Sequence, residues 1–311
     1  MPFQPGTTNR TALYYAVETT FNSIPTGANI NSVRYTGGGP VFSVSTTVSE
    51  ELRPDRMTAD SIIVGATVEG DINIELSYAS FDDLIEAALC GTWTSGILKN
   101  GTALRSFTFQ KQYQDLAVPV YQNFAGCRIG GMSLSFETGS ILTGSFSVMG
   151  CQATTSTTND LGPTIVYPGQ GNTPMNAVTG LTGITQDGVA STAKIRSMSM
   201  DLSNNLRGQE AIGTLGYLGI ALGRLEITGE MSLYFEDQVQ YQKFLDSTAF
   251  SLGFTCADPA GNSYAFLLPK VKYETGDIAV GGSDEDLMID ASWRALYDQT
   301  TDAMIQITRA P

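Results

Sequence analysis

Apolar and polar residues alternate along most of the chain, in two successive blocks. Phe42, Val44, Thr46 and Val48 alternate with polar neighbours, the period of a half-buried strand. A polar stretch, Ser49 to Asp60, interrupts before apolar residues resume at Ile62-Ile63-Val64. From Thr67 the alternation runs through Val68, Gly70, Ile72, Ile74, Leu76 and Tyr78. A strand this long is expected to bend, twist or project. Ser80–Leu89 then reads as a helix, with Ser80 as its cap and Asp82 and Asp83 at the positive end of its dipole. Phe81, Leu84, Ile85 and Ala88 form its apolar stripe. After Gly91 strands return at Arg105–Gln110, Met132–Phe136 and Ile141–Met149, with Thr138-Gly139 as a hairpin turn.

The second block repeats this plan. Ile195–Leu202 reads as a strand, Asn204–Leu222 as a Gly-rich excursion, and Leu225–Phe235 as a long strand carrying Gly229. Asp237–Leu245 is the helix, with Asp237 as cap and Gln240 at capping-box spacing. Tyr241 and Leu245 take the places of Leu84 and Ala88. Strands follow at Phe250–Cys256, Tyr264–Leu268, Val271–Tyr273 and Met288–Leu296, with a turn at Asp258–Asn262.

Short words mark the duplication. Ser49–Arg53 (SEELR) matches Ser203–Arg207 (SNNLR) at an offset of 154, and Glu69–Ile74 matches Thr228–Leu233 at 159. FETG at Phe136–Gly139 returns as YETG at Tyr273–Gly276, an offset of 137, and Ser140–Gly150 returns as Asp286–Leu296, at 146. The rise after YETG puts nine extra residues in the acidic loop Asp277–Glu285. The expected organisation is an N-terminal arm over residues 1–40, a first unit over 41–150, a linker over 151–192 and a second unit over 193–311. The arm is rich in turn formers and has little core of its own; it either lies on a neighbouring subunit or is an ordinary loose terminus. The linker region is rich in Thr, Gly, Asn and Pro.

Composition narrows the class. At 311 residues there is room for two domains, and 33 glycines with abundant Ser and Thr favour strands and turns. The formal charge of −14 argues against gripping nucleic acid, which needs clustered Lys or Arg. It is compatible with surrounding DNA without holding it, or simply with solubility. The chain has no histidine, which removes the commonest general base and metal ligand. Cys90, Cys127, Cys151 and Cys256 show no CxxC spacing, so they read as buried reduced thiols rather than zinc ligands. No secretion signal and no apolar run long enough for a bilayer is apparent, which gives a soluble product made in the cytoplasm.

Carboxylates are the remaining candidates for chemistry. Glu226 and Glu230 share one strand, and Asp284, Glu285 and Asp286 share one loop, without aromatic sugar platforms or an EF-hand spacing. No phosphate-loop, nucleophile-elbow or zincin motif occurs. No catalytic residue, cofactor or metal site is assigned. The two excursions are the better candidates, as subunit or ring contacts. Glu50, Glu51, Arg53, Asp55 and Arg56 pack mixed charge into one, and Arg207, Gln209 and Glu210 occupy the corresponding place in the other. Such loops suit polar docking onto another subunit, against the plainer reading of an exposed hairpin.

The run GEMSLYFED (Gly229–Asp237), the Tyr241–Leu245 helix, Ala260–Tyr264 and Leu268–Val271 together resemble the tail tube (major tail) proteins of long-tailed, non-contractile bacteriophages. The resemblance is strongest over residues 193–300 and weaker over 41–150. It implies a mainly β fold with two similar β-sandwich or β-barrel tube domains, each flanked by one α-helix. It also implies a non-enzymatic virion protein, assembled in the host cytoplasm into stacked rings through which DNA is ejected. Two domains per chain would meet a six-fold geometry with three chains, a homotrimeric, pseudo-hexameric ring carrying a charge of −42 (3 × −14). The implied partners are further copies of the chain, a tape measure protein in the lumen, and tail-terminator and distal tail proteins at the ends. DNA would pass without specific binding, and no membrane is involved. The alternatives are a capsid decoration or fibre protein, and a carboxylate-based hydrolase.

Overall fold

The computed structural model of the chain describes residues 6–280, 282 and 284–311. Met1–Pro5 of the expected arm, and Gly281 and Ser283 of the acidic loop, lie outside them. The first half runs β1 (Thr11–Val17), β2 (Ile30–Ser32), β3 (Tyr35–Gly38), β4 (Val41–Val48) and β5 (Ser61–Glu75). Helix α1 (Asp82–Ala88) follows, then β6 (Ile97–Lys99), β7 (Phe107–Tyr113), β8 (Val120–Glu137), β9 (Thr143–Gly150) and β10 (Gln152–Ser156). The middle segment supplies β11 (Ile165–Val166), β12 (Leu181–Gln186) and β13 (Val189–Ala190). The second half contains β14 (Ile195–Ser203), β15 (Arg207–Gln209), β16 (Gly219–Ala221), β17 (Glu226–Tyr234) and α2 (Val239–Leu245). It closes with β18 (Phe250–Ala257), β19 (Ser263–Ala279), β20 (Met288–Ala295) and β21 (Gln306–Ala310). Among the described residues the fold is mainly β with two short α-helices, as the alternation requires.

Eight antiparallel positions form an inner sheet in the order β3/β4–β5–β9–β8–β14–β17–β20–β19. Each half contributes four of them, and β8 joins β14 across the centre. Behind this sheet each half carries a second one. In the first half it is β2–β1–β7–β8–β10, and in the second β13–β12–β18–β19–β21. The long strands β8 and β19 serve both sheets of their half. Each changes register against its inner-sheet partner, at Ile129/Gly131 and at Tyr273/Thr275, where an extra residue lets the strand bend from one sheet to the other. Alternate side chains of the inner sheet enter one continuous core that spans both halves, from Val68 and Phe146 to Met231 and Trp293.

The registers define the repeat more sharply than the shared words do. Gly70 faces Val148 and Gly229 faces Trp293, so the 159-residue offset of the long strands stands and β20 follows β9 by 145, not 146. That single step decides which side chains face inward, because it pairs the buried Phe146 and Val148 with the buried Ala291 and Trp293. Likewise β14 follows β3/β4 by 160 rather than 154: Ser203 corresponds to Ser43 and not to Ser49. Strand β19 follows β8 by 144 rather than 137, since Arg128 faces Met149 as Lys272 faces Arg294. FETG is therefore a turn sequence at the end of β8, whereas YETG lies at the bulge within β19. The largest length difference between the halves sits after the helices: 18 residues separate α1 from β7, and only four separate α2 from β18.

The arm and linker readings also change. Residues 11–17 form a central strand of the second sheet of the first half, with Leu13 and Tyr15 each 1% exposed and all seven residues registered on β7. Strand β12 does the same for the second half by pairing with β18. Neither strand alternates: β1 is covered on both faces, with Leu13 and Tyr15 in the main core and Tyr14 and Ala16 in a second cluster, and β12 carries Gly183 at a register shift. The helix caps differ too. Ser80 Oγ lies within hydrogen-bond distance of Ser77 Oγ rather than capping α1, while Asp237 accepts from the Val239 backbone N–H at the start of α2.

Candidate assembly surfaces

The inner sheet has a core face and a polar face. On the polar face the outward positions are mostly Ser, Thr, Asp, Glu or Asn. One row runs across neighbouring strands through Thr143, Ser135, Ser199, Glu230, Ser292 and Thr275. Ser133 and Ser145 share a hydrogen bond, as do Thr275 and Ser292, and Ser232 donates to Asp290. Carboxylates stand along this face at Glu69, Asp71, Asp201, Glu230 and Asp290, among others. Arg294 pairs with Glu274 at 2.5 Å and lies 3.9 Å from Glu226. Partial desolvation, helped by the Glu230 charge, holds the Asp201 carboxyl above its ordinary value. The face is broad and shallow, and Glu226 and Glu230 lie open on it.

Beyond the inner sheet, β4 and the first residues of β5 continue as a two-stranded hairpin. From Ser61 to Val64, β5 has β4 on one side and no partner on the other among the described residues. Every residue of β4 is exposed, and the hairpin carries Val44, Val48, Leu52, Ile62, Ile63 and Val64 into solvent. Its tip holds Glu50, Glu51, Arg53, Asp55 and Arg56, all exposed. Arg53 pairs with Asp55 at 2.7 Å, and that hydrogen bond holds the Asp55 carboxyl below its usual range.

Arg207, Gln209 and Glu210 stand elsewhere. They belong to the small β15–β16 hairpin, which folds back onto the base of the first half. There the Arg128 guanidinium donates to the Ile220 carbonyl, and Gly216 approaches the Cys151 and Ala66 carbonyls. No hydrogen bond or ion pair joins the two charged groups among the described residues. They occupy corresponding places in the repeat but are not one site. The exposed apolar residues of the first hairpin have one signal in the sequence, the unbroken run at Ile62–Val64.

The two helices are treated differently. In α1, Leu84, Ile85, Ala87 and Ala88 are buried. The second half closes over it: Asp82 accepts from the Tyr264 hydroxyl and pairs with Arg309, whose guanidinium also lies over Trp93. Helix α2 has no buried residue, and Val239 and Leu245 are 51% and 57% exposed.

All four cysteines are buried and unpaired; burial pushes the Cys151 thiol up to about 11 and raises Cys127 and Cys256 as well. Among the described residues no cluster of three or more Cys, Asp or Glu is placed to hold a metal ion. No helix among them is long and apolar enough to cross a membrane.

A model of the family described as phage tail tube protein matches residues 8–295. No curated protein matches the chain.

Proposed function

This chain belongs to the phage tail tube protein family, a structural family of the virion tail, and from that premise we propose that three copies close into a ring and that rings stack into the tube through which DNA leaves. The observation that carries this reading is the inner sheet. It is eight strands wide, built twice from the same four-strand pattern, polar on one face and, among the described residues, free at both ends. Two repeats per chain give six repeats in a three-chain ring, with the halves, extended by β1 and β12, acting as the tube units.

In this reading the polar face lines the channel. Short hydroxyl side chains leave it smooth, and its carboxylates repel DNA phosphate within about 8–10 Å at ordinary salt. DNA then slides without being held. The β4–β5 hairpin, with its apolar flanks and charged tip, reaches the next ring. A tape measure protein would fill the channel before ejection, and terminator and distal tail proteins would cap the tube ends, as the family implies.

Electron microscopy with mass measurement of the assembled particle tests the stoichiometry. Three chains per ring are expected, and six chains per ring would overturn it. Knobs or fibres without a channel would favour a decoration or fibre protein instead.

A further inference from the structure

Resting on the tube reading, we infer that Lys111 is an ionic docking point between copies: its half-buried ammonium receives a carboxylate from the Asp284–Asp286 loop of the neighbouring chain.

Lys111 is a cation without a partner of its own. It makes no hydrogen bond or ion pair among the described residues, and its Nζ lies 5.6 Å from the centre of the Phe124 ring. A Cβ on Gly39 would sit 3.0 Å from Lys111 Cε, so the stem is held against the backbone there. Burial keeps the ammonium below its ordinary pKa. Lys111 lines a depression of about 370 Å³ that it shares with Tyr35, Tyr113 and Asn9, and no carboxylate lines it. A single ammonium among phenol and amide groups selects an anionic oxygen.

The junction inside the chain indicates which one. Lys111 pairs with Gln122, and Phe254 pairs with Phe266, 144 residues further on, so Lys111 holds the place of Phe254. Gly38 holds the place of Met198, because their partners Ile72 and Met231 are 159 apart. Within the chain Phe254 packs edge-on against Phe136 at 5.2 Å, and Met198 faces Phe136 across the centre. A lysine and a glycine in those places leave the depression open. The counterpart of Phe136 in the second half is Val280, which is 81% exposed. The loop that follows it carries Asp284, Glu285 and Asp286, and none of the three forms an ion pair among the described residues. Six repeats in a ring bring that loop of one chain to Lys111 of the next.

Charge and place therefore agree. Exposed ion pairs contribute little, because ordering both side chains offsets most of the attraction. Lys111 is already half out of water in the isolated chain, so its pair forms at small further cost. An aromatic contact seals the two halves of one chain, and an ionic one joins chains that have folded separately. The lysine also keeps a first half from taking the place of a second half, since that would bury it against Phe136 with no acid beside it.

Carbodiimide coupling, which joins an amine to a carboxylate in direct contact, tests the pair in assembled tubes of the native chain. Peptide mapping by mass spectrometry should find Lys111 linked to Asp284, Glu285 or Asp286 of another chain, and no such link in the unassembled chain. Tubes in which Lys111 stays unlinked, or links to a carboxylate elsewhere, overturn the pair and leave the tube reading standing. A native chain that forms no rings overturns both. Charge reversal is the second arm. Lys111→Glu alone, or Asp284→Lys with Asp286→Lys, should raise the concentration needed for assembly about tenfold, and combining them should restore it. Assembly unchanged by either reversal, or not restored by the combination, overturns the pair. If Lys111→Glu lowers the melting temperature of the isolated chain, Lys111→Met keeps the stem and should weaken assembly to a similar degree; unchanged assembly then overturns the pair.

Discussion

Gln240 donates a hydrogen bond to Gln186 at 2.9 Å, and the pair stands where Tyr15 donates to Asp83 at 3.0 Å in the first half. In both halves a residue of the helix is tied to a residue of the unit's first strand. The chemistry changed while the contact persisted. Tyr15 is buried, and burial beside Asp83 drives its hydroxyl well above the ordinary phenol range, so it remains a donor at any working pH. Tyr15→Phe keeps the ring and removes the bond. Loss of one bond to a charged acceptor should cost about 1.5–2 kcal/mol, read as a lower urea midpoint with an unchanged slope.

The two halves also exchange bulk within one layer. Phe146 and Val148 in β9 correspond to Ala291 and Trp293 in β20, so the large side chain moves by two residues while the layer stays filled. Gly229 is what makes room for Trp293. A Cβ there would sit 2.1 Å from the Ser199 carbonyl oxygen and 2.3 Å from the indole. Gly229→Ala should therefore destabilise by about 3 kcal/mol through overpacking. Thermal melts of the isolated chain measure this, and a change below half a unit would show that the layer yields easily.

Much of this was legible in the sequence. Alternation located the long inner strands, and the stripe Phe81, Leu84, Ile85, Ala88 located α1. EGDINI and TGEMSL set the correct offset because each contains a core pair, Ile72 and Ile74 against Met231 and Leu233, fixed in phase by burial. FETG and YETG misled because a turn and a bulge both favour Gly and small polar residues for local reasons. Strands β1 and β12 carry no period-2 signal, because β1 is buried on both faces and β12 is interrupted by a register shift at Thr182/Thr185. The polar face was equally present in the sequence, as the Ser, Thr and acidic positions between core residues. Strand order, not composition, decides that they form one surface, so that surface became visible only once β8 was seen beside β14.

The polar face predicts a simple pH response. The Asp201 carboxyl is harder to ionise in the folded chain than in the unfolded one, through desolvation and the nearby Glu230 charge. The folded state then binds the proton more tightly, and stability is lost as pH rises from the ordinary value of 3.8 through the raised one. Asp201→Asn removes that loss. The variant should be at least as stable as the native chain at pH 7, and its advantage should vanish below pH 3.8; urea melts at both ends of the range read the difference. A variant less stable at pH 7 would mean that Asp201 makes a favourable contact.

The projecting hairpin separates folding from stacking. Val44, Ile62, Ile63 and Val64 contribute little to the monomer, since each is roughly half exposed. Surface changes away from packed features usually stay within about 0.5 kcal/mol. Burying one such side chain fully against another ring contributes about 1.5–3 kcal/mol, so a charge placed there forfeits that amount at every contact along the tube. Ile63→Asp should therefore leave the melting temperature nearly unchanged and still allow rings to close, because the inner-sheet edges lie elsewhere. Negative-stain images should then show separate rings in place of tubes. Tubes of native length would remove the hairpin from the stacking contact, and a large drop in melting temperature would assign Ile63 to the fold instead.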